Sequence, residues 1–174
     1  HQDVKRTNIT FEEMGNNIKN ATVAVEDADF YNHSGIKISS IFRAILSNLF
    51  NVGKTQGGST ITQQLVKNTL LNSKKTIGRK IKEWVLAVKI DKSMPKDKIL
   101  EFYLNEAPYG GTVYGVQEAA KTYFNKDAKE LTLAEAAYLA SIPQSPTSLS
   151  PYGKNKKKLD ERKNFVLSRM IAVN

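Results

Sequence analysis

The chain has 174 residues, enough for one domain with a core of its own. Its 26 Lys and Arg outnumber 17 Asp and Glu, a formal charge of +9 that favours a polyanionic partner: nucleic acid, an anionic membrane surface or a phosphorylated substrate. Cysteine is absent, which excludes a disulfide framework and a thiolate metal site, and no run of about 18 apolar residues is present to span a membrane.

The predicted elements are almost all helical. Thr10 and Glu13 have capping-box spacing, which predicts a helix to about Lys19. Val23, Ala24 and Val25 form a short apolar run that delivers the chain to Glu26. Ile38, Ile41, Phe42, Ile45, Leu46, Leu49 and Phe50 recur at helical spacing. Ser59 is the expected N-cap of a helix carrying Ile61, Leu65 and Leu70. Ile77, Ile81, Trp84, Val85 and Val88 mark a long helix that Met94-Pro95 stops. Ile99, Leu100, Tyr103 and Leu104 form the next, and Val116, Ala119, Ala120, Tyr123 and Phe124 another. Thr132 and Glu135 are a second capping box, opening an Ala-rich helix that Pro143 terminates. Pro143, Pro146 and Pro151 predict a rigid, extended stretch before a last helix from Leu159 to about Ala172. No internal repeat and almost no strand pattern is present. The expected fold class is mainly α, as a single domain over residues 1–174. The abrupt start at His1 and the end at Asn174 within a helical pattern suggest a piece of a longer protein.

Three clusters could carry chemistry. Glu26 could act as a general base for a hydroxyl if a partly desolvated site raises its pKa, with Val23, Val25 and Phe30 as the apolar wall. The alternative is a helix-start acid that, with Asp27, complements the helix dipole. His33, the only interior histidine, fits a hydrogen-bonded structural role better than catalysis. No His/Cys cluster is present, so zinc is not expected. Gly57-Gly58-Ser59-Thr60 at a helix start can offer backbone N–H groups to an anion, or it can be a plain N-cap after a turn. It is not a Walker P-loop: Gly53-Lys54-Thr55 matches the end of one, but Asn48 stands where the first glycine belongs. Gln64, Lys67 and Asn68 then share a helix face, which is a ligand surface or a solvated one.

Arg79, Lys80 and Glu83 are the third cluster, with Arg79 and Glu83 on one face opposite the apolar stripe. A surface ion pair is one reading; a diphosphate on Arg79 with a second carboxylate beside it is the other. Lys154, Lys156, Lys157 and Lys158 form a run that suits a solvated face or a contact with anionic lipid. Ser93-Met94-Pro95-Lys96 fits Ser-x-x-Lys, but no Ser-Asp-Asn or Lys-Thr-Gly accompanies it and Pro95 interrupts the helix, so it is not an acylation site.

Together these segments resemble the peptidoglycan glycosyltransferases, the transglycosylase domains of class A penicillin-binding proteins and their monofunctional relatives. Glu26-Asp27-x-x-Phe30-x-x-His33-x-Gly35 looks like the family's first motif, and Gly57-Gly58-Ser59-Thr60-Ile61-Thr62-Gln63-Gln64 its second. Arg79-Lys80-x-x-Glu83 resembles the third and Ile99-Leu100-Glu101-x-Tyr103-Leu104-Asn105 the fourth. Ala119-Ala120-x-x-Tyr123-Phe124 resembles a fifth, with Asn125 where a glycine is usual, a departure confined to a local turn. The resemblance covers essentially the whole chain.

It implies a lysozyme-like, mainly helical domain with a large head and a smaller membrane-dipping jaw. The implied reaction polymerises lipid II: the acceptor sugar's 4-hydroxyl attacks the anomeric carbon of the growing glycan chain, and undecaprenyl diphosphate leaves with inversion. By similarity Glu26 is the general base and Glu83 a second carboxylate that positions the donor or holds a divalent ion. Lys67 and Arg79, with Lys80 beside them, bind the diphosphate. Ser59, Thr60, Gln64 and Asn68 line the donor groove, and Asp27, Phe30 and His33 shape and support the base. No cofactor is required, with Mg2+ or Mn2+ on the diphosphate as an open alternative. The implied partners are lipid II, the growing chain and an anionic membrane, not nucleic acid; whether the parent carries a C-terminal transpeptidase domain stays open. The implied location is the extracytoplasmic face of the bacterial plasma membrane, with the anchor helix outside this sequence. The apolar helix Ile38–Phe50 falls where the family keeps its jaw, so Ile41, Phe42, Leu49 and Phe50 are expected to divide between lipid contact and core. Three rivals remain: a glycan-cleaving relative such as a lysozyme or lytic transglycosylase, a non-catalytic basic module that binds nucleic acid or membrane, and an inactive family member that only binds lipid II.

Overall fold

The structure, a computed structural model, describes residues 4–42, 58–71 and 76–173. Among them lie seven α-helices: α1 (Asn16–Glu26), α2 (Ile61–Thr69), α3 (Ile77–Ser93), α4 (Lys96–Glu106), α5 (Val116–Phe124), α6 (Leu133–Ala140) and α7 (Lys156–Val173). Residues 38–42 are also helical; the rest of the segment expected to form the jaw, including Leu49 and Phe50, lies outside the described residues. Two isolated bridges, Lys5 with Val113 and Pro108 with Tyr114, are the β pairing found among the described residues.

The core forms where α1 packs against α6 and α7, and α2 against α4. Small residues let these helices approach: Ala21 and Ala24 of α1 face Ala136, Ala137 and Ala140 of α6, all buried. Larger side chains fill the remainder. Helix α4 alone buries Ile99, Leu100, Tyr103 and Leu104, each worth roughly 1.5–3 kcal/mol before chain entropy is counted. The opposite edge of α4 holds the N-terminal segment. The Asn105 side chain donates to the Ile9 carbonyl at 2.9 Å and accepts from the Ile9 N–H at 3.1 Å, while Glu101 accepts from the Phe11 N–H at 3.1 Å.

Four expectations are corrected. Thr10 and Glu13 do bond, the carboxylate accepting from the Thr10 N–H at 2.8 Å, but they open only the short 3-10 turn Glu12–Met14. Gly15 breaks the chain there. Its φ is +76°, and a Cβ would stand 2.8 Å from the Lys129 Cα, so the main helix begins at Asn16 and carries Val23, Ala24 and Val25 in its last turns. The proline stretch is not extended. It folds as successive turns, with Ser145 N–H on Ile142 C=O at 3.0 Å and Leu149 N–H on Ser145 C=O at 2.8 Å, because a fixed proline φ suits a turn as well as an extended chain.

Helix α3 runs as expected, but its apolar stripe faces out. Ile77 is 84%, Ile81 50% and Val85 49% exposed, whereas Glu83 and Ala87 point inward. The surface ion-pair reading of Glu83 fails on its burial. Finally, α7 begins at Lys156, three residues earlier than expected, so part of the lysine run forms its first turn. The Asn125 substitution is accommodated as anticipated: the residue ends α5 in the left-handed region, φ 54°, which Asn tolerates.

Candidate active site

Helix α1 ends at Glu26, and the next residue becomes a hub. Asp27 is fully buried, and its Oδ2 accepts from His33 Nε2 at 2.8 Å and from the Ile61 N–H at 3.1 Å. Lys37 Nζ lies 2.7 Å from Oδ1. The Gly35 N–H donates to His33 Nδ1 at 3.1 Å, so Nδ1 carries no proton. The imidazole is therefore the neutral Nε2–H tautomer, donating to Asp27. Burial pushes the Asp27 carboxyl up, but His33 and Lys37 outweigh it and hold the group below its ordinary value. Beneath this hub Lys96 Nζ reaches the His33 carbonyl at 2.6 Å and Asp91 at 2.8 Å, and sits 4.7 Å over the Phe30 ring. Phe30 is wholly buried. Thus Phe30 and His33 support the hub and do not wall the cleft, and the rejected Ser-x-x-Lys lysine is part of that support.

Gly35 fixes how closely this loop meets α3. At φ +85° its absent Cβ would lie 2.6 Å from the Ala87 carbonyl oxygen. The loop in turn seats α2. Thr60, not Ser59, is the N-cap: its hydroxyl accepts from the Gln63 N–H at 3.1 Å and donates to the Gly35 carbonyl at 2.6 Å, while the Gln63 side chain closes the box on the Thr60 N–H at 2.8 Å. With Ile61 N–H on Asp27, three of the amides at this helix start, those of Thr60, Ile61 and Gln63, are already satisfied inside the protein. The anion expected at this helix start is Asp27 itself, and buried Thr60 does not line the groove.

Glu26 faces the other way, into a cleft of about 650 Å³. Its walls include Val25, Ser59, Gln64 and Lys67 and, from α7, Arg162, Phe165 and Arg169. The Glu26 side chain is only 9% exposed. Oε2 accepts from Gln64 Nε2 at 2.8 Å; Oε1 has no hydrogen-bond partner, the nearest cation being Arg162 at 3.6 Å. Burial raises the Glu26 pKa; Gln64, Arg162 and Lys67 oppose that without cancelling it. A desolvated carboxylate that lines a cleft and keeps one oxygen free of hydrogen bonds can take a proton from a hydroxyl that reaches it.

The third cluster adjoins this cleft through Ser59, whose hydroxyl accepts from Lys80 Nζ at 3.0 Å. Lys80 also pairs with Glu83, whose side chain is 1% exposed and whose Oε2 has no partner. Arg79 is half-buried with its Nε unpartnered. Lys67 is held below the usual lysine range by burial, with Arg79 and Lys80 adding to the effect and Glu83 and Glu26 opposing it. Crowded cations of this kind attract a multiply charged anion. Asn68 is exposed and does not line the cleft.

Arg162 and Arg169 were not among the residues singled out from sequence. They reach the site because α7 packs on α1: Arg162 Nε donates to the Ser141 carbonyl at 3.1 Å and Arg169 Nε to the Ala24 carbonyl at 3.4 Å. A signal existed. Each follows a buried residue of the α7 stripe by three positions, Leu159 and Val166, so both ride its edge.

The site is a desolvated carboxylate beside a basic cleft in a helical domain, an arrangement suited to an anionic ligand. The family model described as Transglycosylase matches residues 1–171, and the chain belongs to that family. It is 42% identical to penicillin-binding protein 1A of Clostridium tetani over 97% of its length and 44% identical to penicillin-binding protein 1F of Bacillus subtilis over 95%. It spans only 22% and 23% of those two proteins. Among solved structures it resembles penicillin-binding protein 1A from Haemophilus influenzae, with a TM-score of 0.54 and 25% identity over 95% of this chain and 15% of that one.

Proposed function

We propose that the domain is a peptidoglycan glycosyltransferase that polymerises lipid II. The observation that carries this reading is the buried Glu26 carboxylate, its Oε1 free of hydrogen bonds, lining a cleft with Lys67 on its wall and Lys80 at its edge. The acceptor's 4-hydroxyl gives its proton to Glu26 as its oxygen bonds to the anomeric carbon. The bond from that carbon to the diphosphate breaks on the opposite face, which inverts the centre. The electron pair leaves with the diphosphate, whose charge Lys67, Arg79 and Lys80 neutralise, so no protonating acid is needed. Glu83 keeps Lys80 in place rather than reacting. The described residues gather one carboxylate among three cations here, which does not suit a protein-held Mg2+ or Mn2+, and no step requires one.

The substrate carries a polyprenyl chain, so the domain works at a membrane surface, and the cell-wall product sets that surface as the extracytoplasmic face of the plasma membrane. No helix among the described residues is long and apolar enough to cross a membrane. Exposed Ile38 and Phe42, one turn apart, support lipid contact. The relatives' greater length is consistent with a parent that carries an anchor and a transpeptidase domain. Lipid II and preformed glycan offered in parallel to wild type, Glu26→Gln and Glu83→Gln test the reading. Polymer from lipid II, lost in Glu26→Gln, is expected. Cleavage of glycan without polymerisation would assign the domain to the lysozyme-like hydrolases instead.

A further inference from the structure

Gln64 was expected to line the donor groove, yet its amide is committed to Glu26, and something must decide which end of that amide faces the carboxylate. Glu26 as an anion only accepts, so it requires the NH2 end. The other end meets Tyr103 of α4, whose hydroxyl donates to Gln64 Oε1 at 3.3 Å. Tyr103 is 1% exposed and has no other hydrogen-bond acceptor among the described residues. If the amide turned over, the phenol could accept from its NH2 group, but the phenol's own proton would be left buried and unpaired. The turned amide would also set its oxygen against the carboxylate. Both penalties act in the same direction.

We propose that Tyr103 is a positioning residue for glycosyl transfer, locking the Gln64 amide so that its N–H, and not its carbonyl, meets Oε2 of Glu26 and Oε1 is left for the acceptor hydroxyl. This rests on Glu26 being the base. The charged and titratable groups around Glu26 are Asp27 beside it, Lys67 of α2, Arg162 of α7, and the phenols Tyr103 and Tyr109. Of these, Tyr103 is the one hydrogen-bonded to the amide.

The test is the pH dependence of lipid II polymerisation for wild type, Tyr103→Phe, Gln64→Leu and the double variant. Losing the amide donor lets Glu26 hold its proton more tightly, so the acid limb of the kcat profile moves to higher pH. A shift of about one unit is expected, with activity regained at alkaline pH and donor KM within about twofold of wild type. The Tyr103→Phe change adds nothing in the Gln64→Leu background if the two act as one unit. An unmoved limb in Gln64→Leu, or additive losses that scale every pH equally, would overturn the proposal, the former even if Tyr103→Phe failed to fold. Polymerisation by Glu26→Gln at the wild-type rate would instead refute the base assignment.

Discussion

Glu26 and Asp27 are consecutive, and both are buried, but they look to opposite sides of the end of α1. On the core side Asp27 meets a neutral histidine, a lysine and the first amide of α2, and its carboxyl is held low. On the cleft side Glu26 has one amide donor and a guanidinium 3.6 Å from Oε1, which accepts no hydrogen bond, and its carboxyl is held high. Burial is common to both, so the donors decide. The fold uses one carboxylate as a bolt and leaves the other with a raised pKa, a separation of paired acids that suits the proposed base to proton transfer at neutral pH.

The largest consequence should be kinetic. Glu26→Gln keeps the shape and the Gln64 side, and should lower polymerisation by about 10²–10⁴-fold while retaining donor binding, measured with labelled lipid II. Asp27→Asn should act on the fold first: about 2–4 kcal/mol of unfolding free energy lost in urea titration, because three donors lose an anion in the interior.

The same pair should separate by pH. Asp27's stabilisation is complete above the ordinary carboxylate range and disappears as pH falls through its lower folded value. Glu26 runs oppositely. Its folded value lies above the ordinary one, so stability declines as pH rises through that window, and Glu26→Gln should raise Tm at neutral pH by about 2–4 °C per kcal/mol recovered. Both variants moving Tm the same way would contradict the division of roles. The smallest effect belongs to Arg162→Gln. Removing a part-exposed cation 3.6 Å away should lift the acid limb of the rate profile by under about one unit, less at high salt.

Much of the helical order was legible because apolar spacing and caps are local. The Thr132–Glu135 box forms as expected, and α3 stops at Ser93 before Pro95. The early helix was misplaced because Gly15 answers to Lys129, far along the chain, and not to its neighbours. The cap of α2 shifted by one residue because Thr60 also satisfies Gly35, whereas Ser59 is taken by Lys80. On α3 the pattern separated two faces correctly but could not tell which was inside. A buried carboxylate among cations reads, in sequence, like a solvated stripe. The α7 stripe places both arginines on the edge of its buried face, but that this edge meets Ala24 and the cleft depends on packing between distant segments.

The occupied N-terminus of α2 bears on what the cleft can recognise. A phosphate held by fixed backbone amides is measured for shape, since the donors cannot follow it. Here the Ile61 and Gln63 amides serve Asp27 and Thr60, and the proposed diphosphate would meet lysines and arginines on long, jointed stems. Such a surface grips charge wherever it arrives, which suits the proposed polymerisation, whose leaving group must be released and replaced at each addition. It also means that an inhibitor competing for this place can vary its geometry widely, provided it keeps its negative charge.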